Sequence, residues 1–337
     1  MPVESEQVTS MDEGILQRAE SVVQAATRAR SAIGKVVFGQ EEVVDLALTS
    51  VLAGGHALLV GVPGLAKTKL VDTMGIVLGL STKRVQFTPD LMPSDILGAE
   101  ILEESAEGHR AFRFIQGPVF TQLLMADEIN RASPRTQSAL LQAMQEQHVT
   151  VAGSRHDLPH PFHVLATQNP IEQEGTYPLP EAQLDRFMFM VDVGYPSAEE
   201  EVQIVRATTS GTQPVLEKVL APEQIRSLQD LVLRVPAADH VIRYAVDLVR
   251  RTRPAAPADQ HVRDHVAWGA GPRASQALIV GAKARAALDA RPAATVDDVR
   301  ALAEPVLRHR VLTNFHAEAE GVDSRAVIAQ LLRDARG

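Results

Sequence analysis

The segment Ala57-Leu58-Leu59-Val60 runs directly into Gly61-Val62-Pro63-Gly64-Leu65-Ala66-Lys67-Thr68. The first four residues are a short apolar run typical of a buried strand, and the next eight form a glycine-rich loop that ends in Lys-Thr. Backbone N–H groups of such a loop point inward and hold phosphate oxygens, and the N-terminus of the following helix adds partial positive charge. The pattern therefore predicts a strand, a polyphosphate-binding loop and a helix.

Two residues of this loop have distinct predicted roles. Lys67 is expected to reach the β- and γ-phosphates of a bound nucleotide, and Thr68 to ligate Mg²⁺ through its hydroxyl. The general pattern has a second glycine where this chain has Ala66, and alanine follows the same backbone path if its φ stays negative. The alternative interpretation is an ordinary strand–turn–helix corner in which Lys67 is solvated.

Composition limits the classes of protein to consider. The 337 residues suffice for two domains, with 45% apolar and 22% charged residues, and no cysteine is present to form a disulfide or a thiolate metal site. The net charge of −9 argues against broad nucleic-acid binding, although a local basic channel remains compatible with it. Met1–Glu13 does not resemble a secretory signal, and no apolar run approaches the ~20 residues that span a bilayer. The chain is therefore expected to be soluble and cytoplasmic, without membrane insertion.

The pattern of elements predicts two domains of different character. Strands that alternate with helices indicate a three-layer αβα core with a mostly parallel sheet, which is followed by a smaller all-α domain. The predicted boundaries are a disordered tail over 1–11, a nucleotide-binding domain over 12–207, a linker over 208–221 and a helical domain over 222–337. In the helical domain, Thr295 with Asp298 three residues later predicts a capping box.

Two pairs of short strands are predicted within the first domain. Ala99–Leu102 and Ala111–Ile115 flank a polar turn and predict a β-hairpin. His148–Val151 and Phe162–Ala166 are predicted to be strands on either side of the turn Gly153-Ser154.

A second motif is acidic and would supply the metal ligand that a phosphate-binding loop requires. The apolar run Gln122–Ala126 ends in Asp127-Glu128, which places two carboxylates at the C-terminal end of a buried strand, the edge where open α/β sheets bind ligands. Asp127 is predicted to hold Mg²⁺, directly or through water, and Glu128 to act as the general base on the attacking water. The alternative is an exposed acidic turn.

Three further residues are candidates for contact with the reacting phosphate. Asn169 follows another apolar strand and is predicted to orient water or touch the γ-phosphate, although Asn before Pro is also common in turns. Arg186 precedes the last strand and is a candidate arginine finger, or else a structural arginine. Arg273 opens a helix of the second domain, from which it would reach the γ-phosphate unless it is a surface residue.

Five motifs in this order resemble the MoxR family of AAA+ ATPases over about residues 30 to 310. They are Gly61–Thr68, Gln86–Asp95, Asp127–Ala132, Ala166–Pro170 and Leu184–Phe187. The resemblance implies an AAA+ core with a helical lid. It also assigns roles to the candidate residues: Lys67 and Thr68 to Walker A, Asp127 and Glu128 to Walker B, Asn169 to sensor 1, Arg186 to a finger that acts on a neighbouring subunit, and Arg273 to sensor 2.

The resemblance further implies Mg²⁺-dependent ATP hydrolysis in a homo-oligomer, expected to be a hexameric ring. Such a ring would remodel or activate a client protein in a chaperone-like role, together with a partner that carries a von Willebrand factor A domain. The residues predicted to contact nucleotide are Gly61, Pro63, Gly64, Leu65, Ala66, Lys67, Thr68, Lys69, Asp127 and Gln40. A nucleic-acid motor, a nucleotide-gated adaptor and a P-loop small-molecule kinase remain as alternatives.

Several histidines are not assigned to the site. His261 and His265 have helical i, i+4 spacing but lack the glutamate of the zinc-protease pattern, so metal binding is not predicted. His156, His160 and His163 lie in a proline-containing stretch and are expected to be solvated.

Overall fold

The computed structural model describes residues 23–104, 110–172, 175–210, 215–255 and 258–335. The chain forms two compact units. Among the described residues, the α/β unit contains 37–76 and 80–210, and the helical unit contains 23–36, 77–79 and the residues from 215 onward. Helix α1, which covers 23–34, thus belongs to the helical unit. The predicted tail over 1–11 lies outside the described residues.

The α/β unit alternates strands and helices, as predicted. Its elements, in chain order, are α2 (Glu41–Leu52), β1 (Ala57–Val60), α3 (Lys67–Leu78, which ends in the helical unit), β2 (Thr82–Gln86), α4 (Pro93–Leu97), β3 (Gly98–Glu104), β4 (Arg110–Gln116), β5 (Leu123–Asp127), a 3₁₀ turn (Ile129–Arg131), α5 (Pro134–Glu146), β6 (His148–Val151), β7 (Ser154–Asp157), β8 (His163–Gln168), α6 (Glu181–Leu184), β9 (Phe189–Asp192) and α7 (Ala198–Thr209). Helix α7 extends into the segment over 208–221 that the pattern assigned to a linker.

Five of these strands form one parallel sheet in the order β2-β5-β8-β1-β9. Strand β5 is buried along its whole length and β8 along nearly all of it, as expected for a parallel sheet that is covered on both faces. Because all five strands run in one direction, their C-terminal ends meet at one edge. The segments after β1, β5 and β8 therefore leave the sheet side by side.

The two hairpins lie outside this sheet. Strands β3 and β4 pair antiparallel, which confirms the predicted hairpin. The second prediction was wrong in its pairing, because His148–Val151 pairs with the polar strand Ser154–Asp157 and not with the apolar run after Pro161. That apolar run forms β8 of the main sheet, between β1 and β5. Its apolar side chains are buried there, which stabilises the strand more than pairing in an exposed hairpin would.

The helical unit contains, after α1, the elements α8 (Pro222–Arg234), α9 (Asp239–Arg251), α10 (Gln260–His265), β10 (Val266–Trp268), α11 (Pro272–Leu288), α12 (Val296–Leu307), β11 (Leu312–Thr313), α13 (Phe315–Glu320) and α14 (Ser324–Asp334). The capping box at the start of α12 is confirmed, since Thr295 Oγ1 accepts from the Asp298 N–H. The short antiparallel pair β10–β11 was not predicted, because two or three residues carry no detectable period. Within the described part of the chain, no helix has the length and apolar character required to cross a membrane.

Two histidines are buried at the N-terminal edge of the main sheet. His163, expected to be solvated, is 1% exposed and its Nδ1 donates to the Gly55 carbonyl at 2.9 Å. His56 Nδ1 accepts from the Val164 N–H, so its proton is on Nε2, which donates to the Met144 carbonyl. Burial lowers the pKa of His163 to about 4, and burial together with the neighbouring His163 lowers the pKa of His56 to about 3.

The other two histidines of the proline-containing stretch differ from His163. His160 is exposed, as expected. His156 is half-buried against the Phe114 ring, with ring centroids 3.8 Å apart.

Replacing His163 with Gln should flatten the acid side of the stability profile. Its folded-state pKa lies below the ordinary value of 6.5, so the unfolded chain binds the extra proton first and stability falls from about pH 6.5 down to about pH 4. One such histidine contributes a slope of up to about 1.4 kcal/mol per pH unit in that window. Urea unfolding of the wild type and H163Q between about pH 7 and about pH 5 measures the difference. His160→Gln is the matched control, and equal slopes for H163Q and the wild type would contradict the assignment.

Candidate active site

The loop after β1 has a backbone that only particular residues accept. A Cβ at Gly61 would lie 2.6 Å from the Val193 carbonyl oxygen, so glycine is required where the loop passes β9. Gly64 has φ +86° and Ala66 has φ +57°. The condition stated from the sequence, a negative φ at Ala66, is therefore not met. The loop keeps its shape with an alanine in the left-handed region, at a cost of roughly 1–2 kcal/mol.

Lys67 turns back over this loop. Its Nζ donates to the carbonyls of Gly61 at 2.6 Å and Val62 at 2.8 Å. Burial lowers the pKa of the Lys67 ammonium, and the nearby carboxylates of Asp127 and Glu128 act in the opposite direction. The loop carbonyls and the two carboxylates thus surround the ammonium, which supplies the positive charge that an anionic ligand would contact.

Asp127 ends the buried strand β5, and both of its carboxylate oxygens are bonded. Thr167 Oγ1 donates to Oδ1 at 2.5 Å. Arg84 donates to Oδ2 twice, from Nη2 at 2.6 Å and from Nε at 3.2 Å. The Thr167 hydroxyl also accepts from the Glu128 N–H at 2.9 Å, so one side chain of β8 positions both acidic residues.

Glu128 is held in an uncommon conformation. Its φ of +55° lies in the left-handed region, which costs a non-glycine residue of order 1–3 kcal/mol and is typical of functional sites. Its Oε2 accepts from Gln86 Nε2 at 2.6 Å and from Arg131 Nη1 at 3.1 Å. The carboxylate is therefore directed back along the edge of the sheet toward the end of β2.

Asn169 lies just after β8, at the same edge. It is 4% exposed, and its Oδ1 accepts from the Ile171 N–H at 3.2 Å, as in an Asx turn. The turn interpretation is confirmed, and Asn169 lines the same cavity as the acidic residues.

These groups face one cavity of about 450 Å³. It is lined by the loop and α3 (Pro63, Gly64, Leu65, Ala66, Lys67, Thr68, Lys69), by β2 (Arg84, Gln86), and by the ends of β5 and β8 (Asp127, Glu128, Thr167, Asn169). Phosphate-binding donors thus face carboxylate and hydroxyl oxygens, the ligand type that Mg²⁺ prefers. The residues present fit a magnesium–nucleotide complex.

Comparison with known proteins decides the family. Residues 56–189 match the protein family described as "ATPase family associated with various cellular activities (AAA)". Residues 258–331 match the family described as "AAA lid domain". The chain is 41% identical to Chaperone MoxR1 of Mycobacterium tuberculosis over 92% of its own length and 82% of that protein. It is 33% identical to Protein MoxR of Paracoccus denitrificans over 84% and 87% of the two chains.

The chain belongs to the MoxR family of AAA+ ATPases. Its fold agrees with that family. The crystal structure of a candidate ATPase from Cytophaga hutchinsonii superposes with a TM-score of 0.89 at 37% identity, over 96% of this chain and 98% of that one. The predicted α/β core with a parallel sheet and a helical lid is confirmed.

In this MoxR-type ATPase, four predicted residues are not among those that line the cavity: Gly61, Gln40, Arg186 and Arg273. Gln40 is 8% exposed, and its Nε2 donates to the Gly194 carbonyl at 3.2 Å. Arg186 Nε donates to Gln145 Oε1 at 3.0 Å. Arg273 is exposed in the first turn of α11, within the helical unit.

Three lining residues were not predicted: Arg84, Gln86 and Thr167. Arg84 and Gln86 are two positions apart on β2. Because side chains alternate between the two faces of a strand, both lie on the same face, and this spacing could have predicted that they reach the site together. Thr167 lies in the quoted motif Ala166–Pro170, but only its contacts assign it a role.

Replacing Ala66 with Gly should raise the free energy of unfolding by about 0.5–1 kcal/mol. Relief of the left-handed conformation outweighs the ~0.4–1 kcal/mol that glycine gains as entropy in the unfolded chain. The opposite change, Gly64→Ala, is the matched control. Space around Gly64 is open, so only its backbone conformation matters. The same balance of strain and unfolded-state entropy predicts a loss of about 0.5–1 kcal/mol. Urea unfolding measures both, and destabilisation by A66G would contradict the assigned backbone of the loop.

Proposed function

We propose that this cavity binds ATP with Mg²⁺ and hydrolyses it to ADP and phosphate. The observation that carries the proposal is the convergence of Lys67, Asp127, Glu128 and Asn169 on one cavity at the C-terminal edge of the sheet. A phosphate-binding lysine, a metal-binding carboxylate and a second carboxylate that can act as base are the parts that phosphoryl transfer to water requires.

Each residue has a role that follows from its position. Lys67 would exchange its bonds to the Gly61 and Val62 carbonyls for phosphate oxygens, since those bonds are its present partners. Thr68 and Asp127 would hold Mg²⁺, which when bound neutralises charge on the phosphates. Thr167 fixes the orientation of Asp127 by its hydrogen bond.

Glu128 would accept the proton of the attacking water as general base, and Asn169 would orient that water. Both residues are held at the same edge by independent contacts. Glu128 is bonded to Gln86 and Arg131, and Asn169 is fixed by its bond to the Ile171 N–H. Both bonds of Glu128 are made by Oε2, so Oε1 is the oxygen that would face the water.

Arg186 would complete the site of a neighbouring subunit in a ring, which we propose to be a hexamer. Support comes from its position. Arg186 donates to Gln145 on α5, and it is not one of the described residues that line the cavity of its own subunit. Arg273 would act as the sensor of the lid, as implied by the family motif.

We assign the machine a chaperone-like role on a protein client, with a von Willebrand factor A-domain partner, in the cytoplasm. Support for the client role comes from the relative in Mycobacterium tuberculosis, which is named a chaperone. The net charge of −9 favours a protein client over a nucleic acid.

Replacing Glu128 with Gln should lower the rate of ATP hydrolysis about 10²–10⁴-fold and leave ATP binding in place, because only the base is lost. Steady-state phosphate release and binding of a fluorescent ATP analogue measure the two effects. Glu172→Gln is the matched control, since Glu172 is an exposed carboxylate near the same Arg131. Hydrolysis at the wild-type rate in E128Q would exclude Glu128 as the base.

Mixing two inactive variants should restore hydrolysis if Arg186 acts between subunits. Arg186→Ala keeps Glu128, and Glu128→Gln keeps Arg186, so a site shared between the two types is complete. In a random equal mixture about a quarter of the sites are complete in a cyclic oligomer. Arg155→Ala, a change at an exposed arginine of β7, should retain full activity by itself. Absence of recovery in the mixture would place Arg186 outside the neighbouring site.

A further inference from the structure

Arg84 is the cation that contacts the predicted metal ligand. Its guanidinium donates twice to Oδ2 of Asp127, and the two side chains form an ion pair at 2.6 Å. The other carboxylate oxygen is bonded to the neutral hydroxyl of Thr167. Arg84 therefore supplies the only full positive charge that directly contacts Asp127 among the described residues.

The pair is unequal in burial. The Asp127 side chain is 12% exposed and the Arg84 side chain is 50% exposed. The carboxylate is thus fixed by strand β5, whereas the guanidinium reaches it from the solvent side of β2 and can return to solvent at small cost. Its one other hydrogen-bond partner that the structure describes is Gln86 Oε1, at 3.1 Å.

We infer that Arg84 competes with Mg²⁺ for the carboxylate of Asp127. The inference rests on the proposed role of Asp127 in holding Mg²⁺. A guanidinium and a divalent cation on the same carboxylate repel each other, so the binding of one weakens the binding of the other. Arrival of Mg²⁺ with the nucleotide is therefore expected to weaken the Arg84–Asp127 pair or to displace Arg84.

This exchange has two consequences for the protein. With Arg84 bound, the buried carboxylate is balanced and the site tolerates the absence of metal. Binding of Mg²⁺–nucleotide is weakened by the free energy of the pair that it breaks, whereas binding of nucleotide without metal is not. Arg84 is thus a positioning residue that makes the occupancy of the site depend on the metal.

The test compares the affinity for a fluorescent ADP analogue in excess Mg²⁺ and in EDTA, for the wild type and Arg84→Met. Methionine keeps an apolar stem of similar length and removes the charge. The Kd in Mg²⁺ should fall about threefold to tenfold in R84M, as expected for loss of a charge-assisted pair that is half-exposed. The Kd in EDTA should stay within about twofold of the wild type.

Three further variants make the result specific. Lys83→Met removes a positive charge from the adjacent, exposed position of β2, which alternation directs to the other face, and should change neither Kd. Arg84→Lys keeps the charge without the two-pronged contact and should give an intermediate Kd in Mg²⁺. Arg84→Lys also replaces R84M in the test if R84M does not fold. Thermal unfolding of each variant shows whether it is folded. Asp127→Asn should remove the tighter binding that Mg²⁺ confers.

The outcomes separate the inference from the function on which it rests. An unchanged or weaker affinity of R84M in Mg²⁺, with the D127N effect present, overturns the competition and leaves the metal role of Asp127 intact. Weaker binding of R84M in EDTA means that Arg84 contacts the phosphates directly, which also overturns it. Binding that does not respond to Mg²⁺ in the wild type removes the metal role of Asp127 and the inference with it.

Discussion

The site depends on how the charge of Asp127 is balanced at the end of a buried strand. A carboxylate on a side chain that is 12% exposed requires hydrogen bonds on both oxygens, and here Thr167 and Arg84 provide them from the two strands that flank β5. The order β2-β5-β8 is therefore also the order of a hydrogen-bonded row across the edge of the sheet. A cation that binds to Asp127 would compete with these bonds.

Two residues that line the cavity have strained backbone. Ala66, just before α3, and Glu128, just after β5, both have positive φ without being glycine. Surrounding contacts hold them there: the Ala66 carbonyl accepts the first helical bond of α3, and the Glu128 N–H is bonded to Thr167. Strain of this kind persists only where the neighbouring structure determines the backbone, and it directs the carboxylate of Glu128 along the edge of the cavity.

Much of the architecture was predictable because it repeats over many residues. The burial of Ile225, Leu228 and Val232 in α8, and of Val241, Ala245 and Leu248 in α9, follows the helical period. The pairing of the strand that precedes the turn at Gly153 was harder to predict. Both β7 and β8 follow it closely, and the pairing of His148–Val151 depended on which of the two the main sheet would bury. His163 shares this cause, since its place at the start of β8 buried a side chain that its polar neighbours made appear solvated.

The sequence alone determined the family, and it predicted the phosphate loop, the acidic pair at the end of β5 and Asn169, because these are contiguous motifs whose chemistry is local. Only the tertiary structure decided which other side chains reach them. Arg84 is 43 residues from Asp127 along the chain, and Thr167 is 40 residues away on the opposite side. They meet because parallel strands that are distant in sequence are neighbours in the sheet, with a register set by hydrogen bonds between strands. Contacts of that range depend on how the strands assemble, which no local pattern specifies.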